Sequence, residues 1–353
     1  MTDKDKIRVL IVDDSAFMRT AIERMLQSDP AIEIAGSAAN GREAVEKLVR
    51  LRPDVVTMDV EMPIMDGLQA LKEIMRLSPT PVVMVSSLTK EGAKVTLDAL
   101  DLGAIDYVSK PGSTLSANIL TLKNDLLHKI HMAASCKPQT IKLEFSQALR
   151  GPKKAVSPSG EVINRAVFIG ASTGGPPAIQ KILSLIDPAL PAPIIIAQHM
   201  PKTFTAAFAT RLNLLCGIRV KEACDGETLQ NSVVYICPGD HQTRVSRSLD
   251  GKCCFSITPN AIEQDRFAPC INTLFFSAAK EFAHKSIGVI LTGMGEDGVR
   301  GMKNIKLMGG LTIAQDRSSS VVYGMPRAAL EQEAAVRILA LDEMAREIEL
   351  SLK

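Results

Sequence analysis

The sequence lacks three features that would assign it to a common class of protein. Its seven cysteines are odd in number and contain no Cys-x-x-Cys, which argues against a disulfide framework and a zinc site. No apolar stretch approaches the ~18 residues that a membrane span requires, and the amino-terminal residues contain no apolar signal-peptide core. Charge is nearly balanced, with 41 basic and 39 acidic residues, so no nucleic-acid surface is indicated. We therefore expect a cytoplasmic protein with reduced, mostly buried thiols, without membrane insertion or nucleic-acid binding.

The length of the chain, 353 residues, predicts two domains with separate cores. Short apolar runs alternate twice with amphipathic helical stretches, as in parallel sheets that are covered by helices on both faces. A polar stretch interrupted by proline and glycine separates the two series. The predicted fold class is α/β with two doubly wound parallel-sheet domains, at residues 1–134 and 163–353, joined by a linker at 135–162.

The predicted strands are short and apolar. In the first domain they cover residues 7–12, 32–34, 55–58, 82–85 and 105–108, and a last helix covers about 117–133. In the second domain they cover residues 166–170, 194–197, 233–236, 287–291 and 311–314.

Charged and hydroxyl side chains follow four strands of the first domain: Asp13 and Asp14, Asp59, Ser86, and Lys110. The carboxyl ends of parallel strands share one sheet edge, so these side chains are expected to converge. Three carboxylates there would repel one another unless they held a hard divalent cation, and Mg²⁺ fits best. The pattern predicts that Asp59 is a phosphoryl-accepting nucleophile, with Lys110 and Ser86 stabilising the transferred oxygens. Taken singly, Asp14 could instead cap a helix, and the Lys-Pro pair could form a turn.

These residues resemble the phosphorylation site of response-regulator receiver domains. The resemblance covers residues 6 to about 133 and includes the loop after Asp59, with its Met62-Pro63 and Asp66-Gly67. It implies a flavodoxin-like fold for this domain. It also implies that the main-chain carbonyl of Glu61 joins Asp13, Asp14 and Asp59 as a ligand of Mg²⁺, a role that tolerates any side chain.

A glycine-rich segment opens the second domain. Residues 170–175, Gly-Ala-Ser-Thr-Gly-Gly, follow a predicted strand and precede two prolines that fit the first turn of a helix. Such a turn would expose the hydroxyl of Ser172 as a nucleophile, beside main-chain amides able to bind an oxyanion. A phosphate-binding loop or a purely structural turn are the alternatives. However, both Gly-x-Gly-x-x-Gly and a Gly-Lys-Ser/Thr ending are missing.

A nucleophilic serine needs a base and an orienting carboxylate. His199 ends a strongly apolar strand and is the best base, whereas His241 follows a turn and His284 lies in a polar helical stretch. Asp297 lies in a glycine-rich loop after another strand, where it could also merely cap a helix. Three strand ends thus supply Ser172, His199 and Asp297, as in a hydrolytic triad. Their order along the chain differs from that of α/β-hydrolases, so membership of that fold is not predicted.

The second domain resembles the methylesterase domain of the CheB chemotaxis family, from about residue 165 to the last helix. The segments that carry the resemblance are 170–175, 198–200, 238–239, 291–298 and 315–316. The resemblance implies a Rossmann-like fold and hydrolysis of γ-glutamyl methyl esters on the cytoplasmic helices of methyl-accepting chemoreceptors, with release of methanol. It implies deamidation of specific receptor glutamines as well. Main-chain amides near Thr173 and Met294 are the implied oxyanion donors, and no cofactor is expected for this reaction.

The same resemblance implies a mode of control. The histidine kinase CheA would phosphorylate the receiver, which otherwise packs across the esterase cleft. Two alternatives remain at this point. The second domain could only bind a partner or nucleic acid, against which the balanced charge and the lack of a terminal helix-turn-helix pattern argue. It could also hydrolyse a different ester, because a triad reports chemistry and not substrate.

Overall fold

The computed structural model describes residues 6–110, 116–136, 163–248, 251–263 and 265–353. The chain divides into two compact units, Met1–Glu144 and Phe145–Lys353. Most of the predicted linker, at 137–162, lies outside the described residues, and the domain boundaries stay predictions. No helix in the described ranges combines the length and the apolar character needed to cross a membrane.

The first unit contains one five-stranded parallel sheet with the order β2-β1-β3-β4-β5. Its strands are β1 (Ile7–Val12), β2 (Ile32–Ala38), β3 (Val55–Asp59), β4 (Val82–Ser86) and β5 (Asp106–Ser109). Its helices are α1 (Ala16–Gln27), α2 (Gly41–Leu51), α3 (Gly67–Leu77), α4 (Lys90–Asp101) and α5 (Ser116–Ser135). This strand order is that of flavodoxin-like folds, in which ligands bind at the carboxyl edge of the sheet. The predicted fold of the first domain is confirmed.

The helices of this unit begin at polar side chains that bind the first free main-chain amides. Asn40, Asp66 and Thr89 each accept a hydrogen bond from the amide three residues further on. Ser15 caps α1 in the same way, accepting from the amide of Met18. The alternative explanation of Asp14 as a helix cap is therefore wrong, and its carboxylate is available to the site at the strand ends.

The second unit contains a seven-stranded parallel sheet and a separate antiparallel hairpin. The sheet has the order β14-β13-β12-β6-β7-β9-β8. Its strands are β6 (Ala166–Ala171), β7 (Ile194–Gln198), β8 (Arg219–Glu222), β9 (Val233–Ile236), β12 (Ser286–Ile290), β13 (Leu311–Gln315) and β14 (Arg337–Leu339). The hairpin is β10 (His241–Arg247) and β11 (Cys253–Pro259). The helices are α6 (Gly175–Leu185), α7 (Lys202–Leu215), α8 (Asn260–Glu263), α9 (Ile271–Phe282), α10 (Val299–Leu307), α11 (Met325–Glu331) and α12 (Leu341–Leu352).

The predicted parallel sheet of the second domain is confirmed, and its topology places the site. Strands β12, β6 and β7 are neighbours in the centre of the sheet, and all three run in the same direction. The loops that leave their carboxyl ends therefore meet at one edge. These are the loops that carry the serine, histidine and aspartate selected from the sequence.

The cysteines match the sequence-based expectation in part. None of the seven cysteines, all of which are described, forms a disulfide bond. Three of them are buried, at 216, 237 and 253, three are half-buried, at 136, 254 and 270, and Cys224 is exposed. The expectation that most of the thiols are buried was therefore too strong.

Candidate active site and phosphoacceptor site

Ser172 follows the last residue of β6, in a turn that is fixed by its own main chain. Its carbonyl oxygen accepts hydrogen bonds from the Gly175 amide at 2.8 Å and from Nε2 of Gln198 at 2.9 Å. Its amide donates to the carbonyl of Thr292 at 3.1 Å. A Cβ at position 175 would lie 2.0 Å from Oε1 of Gln198, so this close approach requires glycine. The turn is thus held on both sides while the hydroxyl of Ser172 stays half-buried at the sheet edge.

His199 follows β7 and lies between the serine and the aspartate. Its main-chain amide donates to the carbonyl of Ala171 at 3.1 Å, which ties it to the neighbouring strand. Its Nδ1 is 3.2 Å from Oγ of Ser172, and its Nε2 is 2.9 Å from Oδ2 of Asp297. An ionised carboxylate can only accept, so Nε2 carries the proton and Nδ1 faces Ser172 as an acceptor. The two ring nitrogens thus exchange the roles that they have in the trypsin-type triad.

Asp297 is 5% exposed and accepts several hydrogen bonds. Besides His199, the main-chain amides of Ile271, Asn272 and Gly298 donate to it at 2.7–3.1 Å. Burial alone would raise the pKa of Asp297, but the hydrogen bonds from His199 and from the amides of Ile271 and Asn272 hold its pKa below the usual value. The carboxylate therefore stabilises the fold at neutral pH, and this contribution is lost only as the pH falls below about 3.9.

Asp297 does cap a helix, but not the helix that follows it in the chain. Helix α10 begins after Gly298 and has no side-chain cap. Ile271 and Asn272 open α9, which also lacks a side-chain cap of its own, and their amides bind Asp297. The amino end of α9 thus favours the ionised carboxylate.

The predicted oxyanion donors lie beside the serine. Thr173 is the next residue, and its carbonyl accepts a hydrogen bond from Oγ1 of Thr292 at 2.9 Å. A Cβ at Gly293 would be 2.7 Å from Cβ of Ser172, so the main chain that leads to Met294 passes against Ser172. The roles of the Thr173 and Met294 amides stay predictions.

The other two histidines of this unit have different surroundings. Nδ1 of His241 donates to the carbonyl of Gly239 at 2.8 Å, and the residue opens β10 directly after the turn at 239–240, as expected from the sequence. His284 is exposed in a short 3₁₀ turn, as expected. Among the described residues, His199 is the histidine that contacts Ser172.

The first unit brings its three predicted carboxylates together. Oxygen atoms of Asp13, Asp14 and Asp59 all lie within 4.8 Å of one another. Nζ of Lys110 is 3.0 Å from Oδ2 of Asp13 and 2.8 Å from Oδ2 of Asp59. Asp13 and Asp59 are buried, whereas Asp14 is exposed. Three carboxylates and one ammonium group leave an excess of negative charge at the carboxyl edge of the sheet.

The donor set of this cluster fits Mg²⁺. Carboxylate oxygens are the hard ligands that this ion takes in proteins. Burial raises the pKa of Asp59 although Lys110 lowers it, so Lys110 does not fully compensate the cost of burying the ionised carboxylate. Burial would lower the pKa of Lys110, but its ion pairs with Asp59 and Asp13 raise it, so the ammonium stays charged.

The structure places the two remaining predicted residues, Ser86 and Glu61, near Asp59 in the chain or at a neighbouring strand end, but it does not test their roles. The Ser86 hydroxyl is buried and donates to the carbonyl of Gly92 at 3.3 Å, at the start of α4. Its role towards a phosphoryl group stays a prediction. Glu61 lies exposed two residues after Asp59, and the role of its main-chain carbonyl is likewise still predicted.

Together, the two sheets define the class of protein. A receiver-type domain with a carboxylate cluster is followed by an α/β domain that has the geometry of a serine hydrolase.

Comparison with known proteins identifies both halves. Residues 9–118 match the response regulator receiver domain family, and residues 167–348 match the CheB methylesterase family. A protein-glutamate methylesterase/protein-glutamine glutaminase of Geobacter sulfurreducens is 42% identical over 97% of both chains. An enzyme of the same name from Lawsonia intracellularis is 44% identical over 97% of this chain and 98% of its own. The crystal structure of the Thermotoga maritima CheB methylesterase catalytic domain is 36% identical, with a TM-score of 0.51 over 54% of this chain and 99% of that chain. The chain therefore belongs to the CheB methylesterase family.

Proposed function

We propose that this protein is a phosphorylation-activated protein-glutamate methylesterase. It hydrolyses γ-glutamyl methyl esters on chemoreceptors, releasing methanol, and it also deamidates specific receptor glutamines. The observation that carries the proposal is the position of His199, which is within hydrogen-bonding distance of both Ser172 and Asp297. The names of the full-length relatives supply the substrate class. A domain that only bound a partner would not need this arrangement.

The first half of the reaction forms a covalent intermediate. Nδ1 of His199 takes the proton of the Ser172 hydroxyl as Oγ attacks the ester carbonyl. The negative charge that develops on the carbonyl oxygen is bound by the main-chain amides of Thr173 and Met294, each contributing about 2.7–4 kcal/mol in comparable hydrolases. Asp297 stabilises the imidazolium that forms. His199 then gives its proton to the leaving methoxide, and methanol departs from a glutamyl-Ser172 ester.

The second half regenerates the enzyme. His199 takes a proton from a water molecule, whose oxygen attacks the glutamyl ester, and returns the proton to Oγ of Ser172. The product is a glutamate side chain on the receptor. With a glutamine substrate the same steps release ammonia in place of methanol. The residues of this half need no metal ion or other cofactor for these steps.

The receiver half supplies the control. An oxygen of Asp59 attacks the phosphorus of a phosphodonor, an O–P bond forms, and the bond between phosphorus and the rest of the donor breaks, which leaves an acyl phosphate and the free donor. Lys110 and Ser86 bind the transferred oxygens. Asp13, Asp14, Asp59 and the carbonyl of Glu61 would hold Mg²⁺, which neutralises charge on the incoming group. The physiological donor is the histidine kinase CheA. Acyl phosphate formation need shift a two-state equilibrium by only a few kcal/mol to change access to the cleft greatly.

Because the receptor helices that the family modifies are cytoplasmic, we place the protein in the cytoplasm.

Replacing Asp59 with asparagine should abolish activation while preserving the basal esterase. An amide oxygen is a poor nucleophile, so no acyl phosphate can form. The measurement is methanol release from methylated receptor membranes, with and without a small-molecule phosphodonor. The rate of methanol release by wild type should rise when the donor is added, and the rate of Asp59→Asn should not change. Exposed Asp54→Asn serves as a control in the same domain and should accelerate like wild type. A full response by Asp59→Asn would rule out this aspartate as the control point.

Removal of divalent cations should block phosphorylation but not the chemistry at Ser172. Without a cation, the buried carboxylates retain their mutual repulsion and the phosphodonor meets excess negative charge. Intact mass spectrometry after incubation with phosphodonor should detect one added phosphoryl group in Mg²⁺ and none in EDTA. Phosphorylation that continues at the same rate in EDTA would contradict the assigned cation site.

A further inference from the structure

One short segment of the second unit contacts both His199 and Asp297. Phe267 lies parallel to the imidazole of His199, with 4.3 Å between ring centroids and 6° between ring planes. Three residues later, the thiol of Cys270 donates to Oδ1 of Asp297 at 3.3 Å. Burial and the neighbouring Asp297 raise the pKa of Cys270 to about 11, so the sulfur keeps its proton and remains a donor. The segment therefore touches the base on one face and the carboxylate at its second oxygen.

A single buried amide holds both ends of this segment. Gln242 lies on β10 and is completely buried. Its Oε1 accepts from the amide of Cys270 at 2.9 Å, and its Nε2 donates to the carbonyl of Phe267 at 2.6 Å. The second N–H of Nε2 donates a hydrogen bond to Oδ1 of Asn260 at 2.8 Å. Two of the three hydrogen bonds of the Gln242 side chain thus hold the main chain of Phe267 and Cys270. Through them the hairpin, which the sequence did not predict, supports the site.

His199 needs a third constraint in addition to its two hydrogen bonds. The hydrogen bonds at Nδ1 and Nε2 limit the rotation of the imidazole about its Cα–Cβ and Cβ–Cγ bonds, but a hydrogen bond tolerates angular departures of about 30°, so the ring can still tilt. Such a tilt moves the Nδ1 lone pair away from Oγ of Ser172. A parallel aromatic ring at van der Waals separation blocks the tilt on its side and keeps water off that face.

We propose that Phe267, anchored through Gln242, is a positioning residue that fixes the ring plane of His199 for proton transfer from Ser172. Phe267 does not touch the reacting atoms, and its effect is exerted through His199. A flat side chain is required at this position, and apolar volume alone does not suffice. The effect on receptor demethylation rests on the proposed function, whereas the effect on Ser172 can be measured without a receptor.

The test is the rate at which a fluorophosphonate probe labels the full-length protein. Oγ of Ser172 attacks phosphorus, an O–P bond forms, the P–F bond breaks, and His199 takes the serine proton while fluoride leaves. All variants are labelled with Mg²⁺ and a small-molecule phosphodonor present. Probe concentration is varied to separate the labelling rate constant from probe affinity, and the labelled residue is identified by peptide mass spectrometry.

Phe267→Leu keeps apolar volume and loses the flat ring. Its labelling rate constant should fall about tenfold, while probe affinity should stay within about twofold of wild type. The reason is that a misoriented base slows proton transfer from Ser172 but does not weaken binding of the probe. Phe267→Tyr keeps the ring and should stay within about twofold of wild type. The matched control is Phe276→Leu, since Phe276 is also half-buried and also has an arginine beside its ring, Arg300 at 5.9 Å against Arg266 at 5.3 Å. This control should label like wild type.

Three results would overturn the proposal. They are a wild-type labelling rate in Phe267→Leu, an equal loss in Phe276→Leu, or an equal loss in Phe267→Tyr. Failure of the proposed function gives a different result, in which wild type labels at Ser172 but releases no methanol from methylated receptors. The two failures are therefore separable.

Discussion

Replacing Ser172 with alanine is expected to lower kcat for ester hydrolysis by a factor on the order of 10⁶, the loss found when a triad serine is removed from another hydrolase. Without Oγ no acyl-enzyme can form. The turn itself should survive, because it is held by the main-chain atoms of Ser172 and by Gln198 rather than by the hydroxyl. Weak residual catalysis from the oxyanion amides is expected.

The measurement is methanol release by wild type and Ser172→Ala under phosphodonor, at matched protein concentration. Ser184→Ala provides the control, since Ser184 is exposed on α6 and its hydroxyl donates to the carbonyl of Gln180. It should retain the wild-type rate. Equal methanol release by Ser172→Ala and wild type would refute the assignment of the nucleophile.

Replacing Asp297 with asparagine should lower kcat by about 10⁴, the loss seen when the triad aspartate is changed in this way elsewhere. The carboxylate accepts from Nε2 of His199 and from the amino end of α9. Three donors face Oδ1 of Asp297, namely the Cys270 thiol and the amides of Asn272 and Gly298, so the amide oxygen of asparagine would take that position. Its NH₂ group would then face Nε2 of His199 and cannot accept, so His199 would carry its proton on Nδ1. The nitrogen that faces Ser172 would then be a donor and could not take the serine proton. The variant should also be less stable, because its NH₂ group would also face a main-chain donor.

The Asp297→Asn experiment needs a measure of folding beside the rate. Circular dichroism and thermal unfolding establish the fraction of folded protein, and the kcat per folded molecule is compared. Asp342→Asn is the control, because this exposed aspartate lies in the first turn of α12 and its carboxylate pairs with Lys181. If Asp297→Asn and Asp342→Asn have the same kcat, Asp297 has no role in orienting His199.

The central strands of both sheets could be predicted because they are buried on both faces. Strand β9 reads as an uninterrupted apolar run, and β1 is interrupted only by Arg8; the predicted bounds of both strands match the structure. The edge strand β8 was missed, since three of its four residues are charged and only Val220 is apolar. Strand β14 has only three residues. The hairpin β10–β11 was missed because most residues of β10 are polar. Its two strands also pair antiparallel with each other, outside the predicted parallel strand–helix pattern.

The three residues of the candidate active site could also be predicted from the sequence, but the residues that surround them could not. Ser172, His199 and Asp297 follow strands that could be recognised, and parallel strands bring their ends together. The stacking of Phe267 and the thiol of Cys270 come from a loop outside any predicted strand end. The amides of α9 reach Asp297 from 25 residues away in the chain, where no local spacing signals the contact. The identity of the ring nitrogen that faces Ser172 likewise follows only from coordinates.

The most direct test of the central claim is methanol release from receptor membranes that carry isotopically labelled methyl esters. Purified full-length protein is added with Mg²⁺, with and without a small-molecule phosphodonor, and released methanol is compared with the ester remaining on the receptor. The protein should release methanol in equal amount to the ester lost, and faster when Asp59 is phosphorylated. Ester that stays intact under both conditions, while Ser172 still reacts with a fluorophosphonate, would contradict the claim that this hydrolase acts on glutamyl methyl esters.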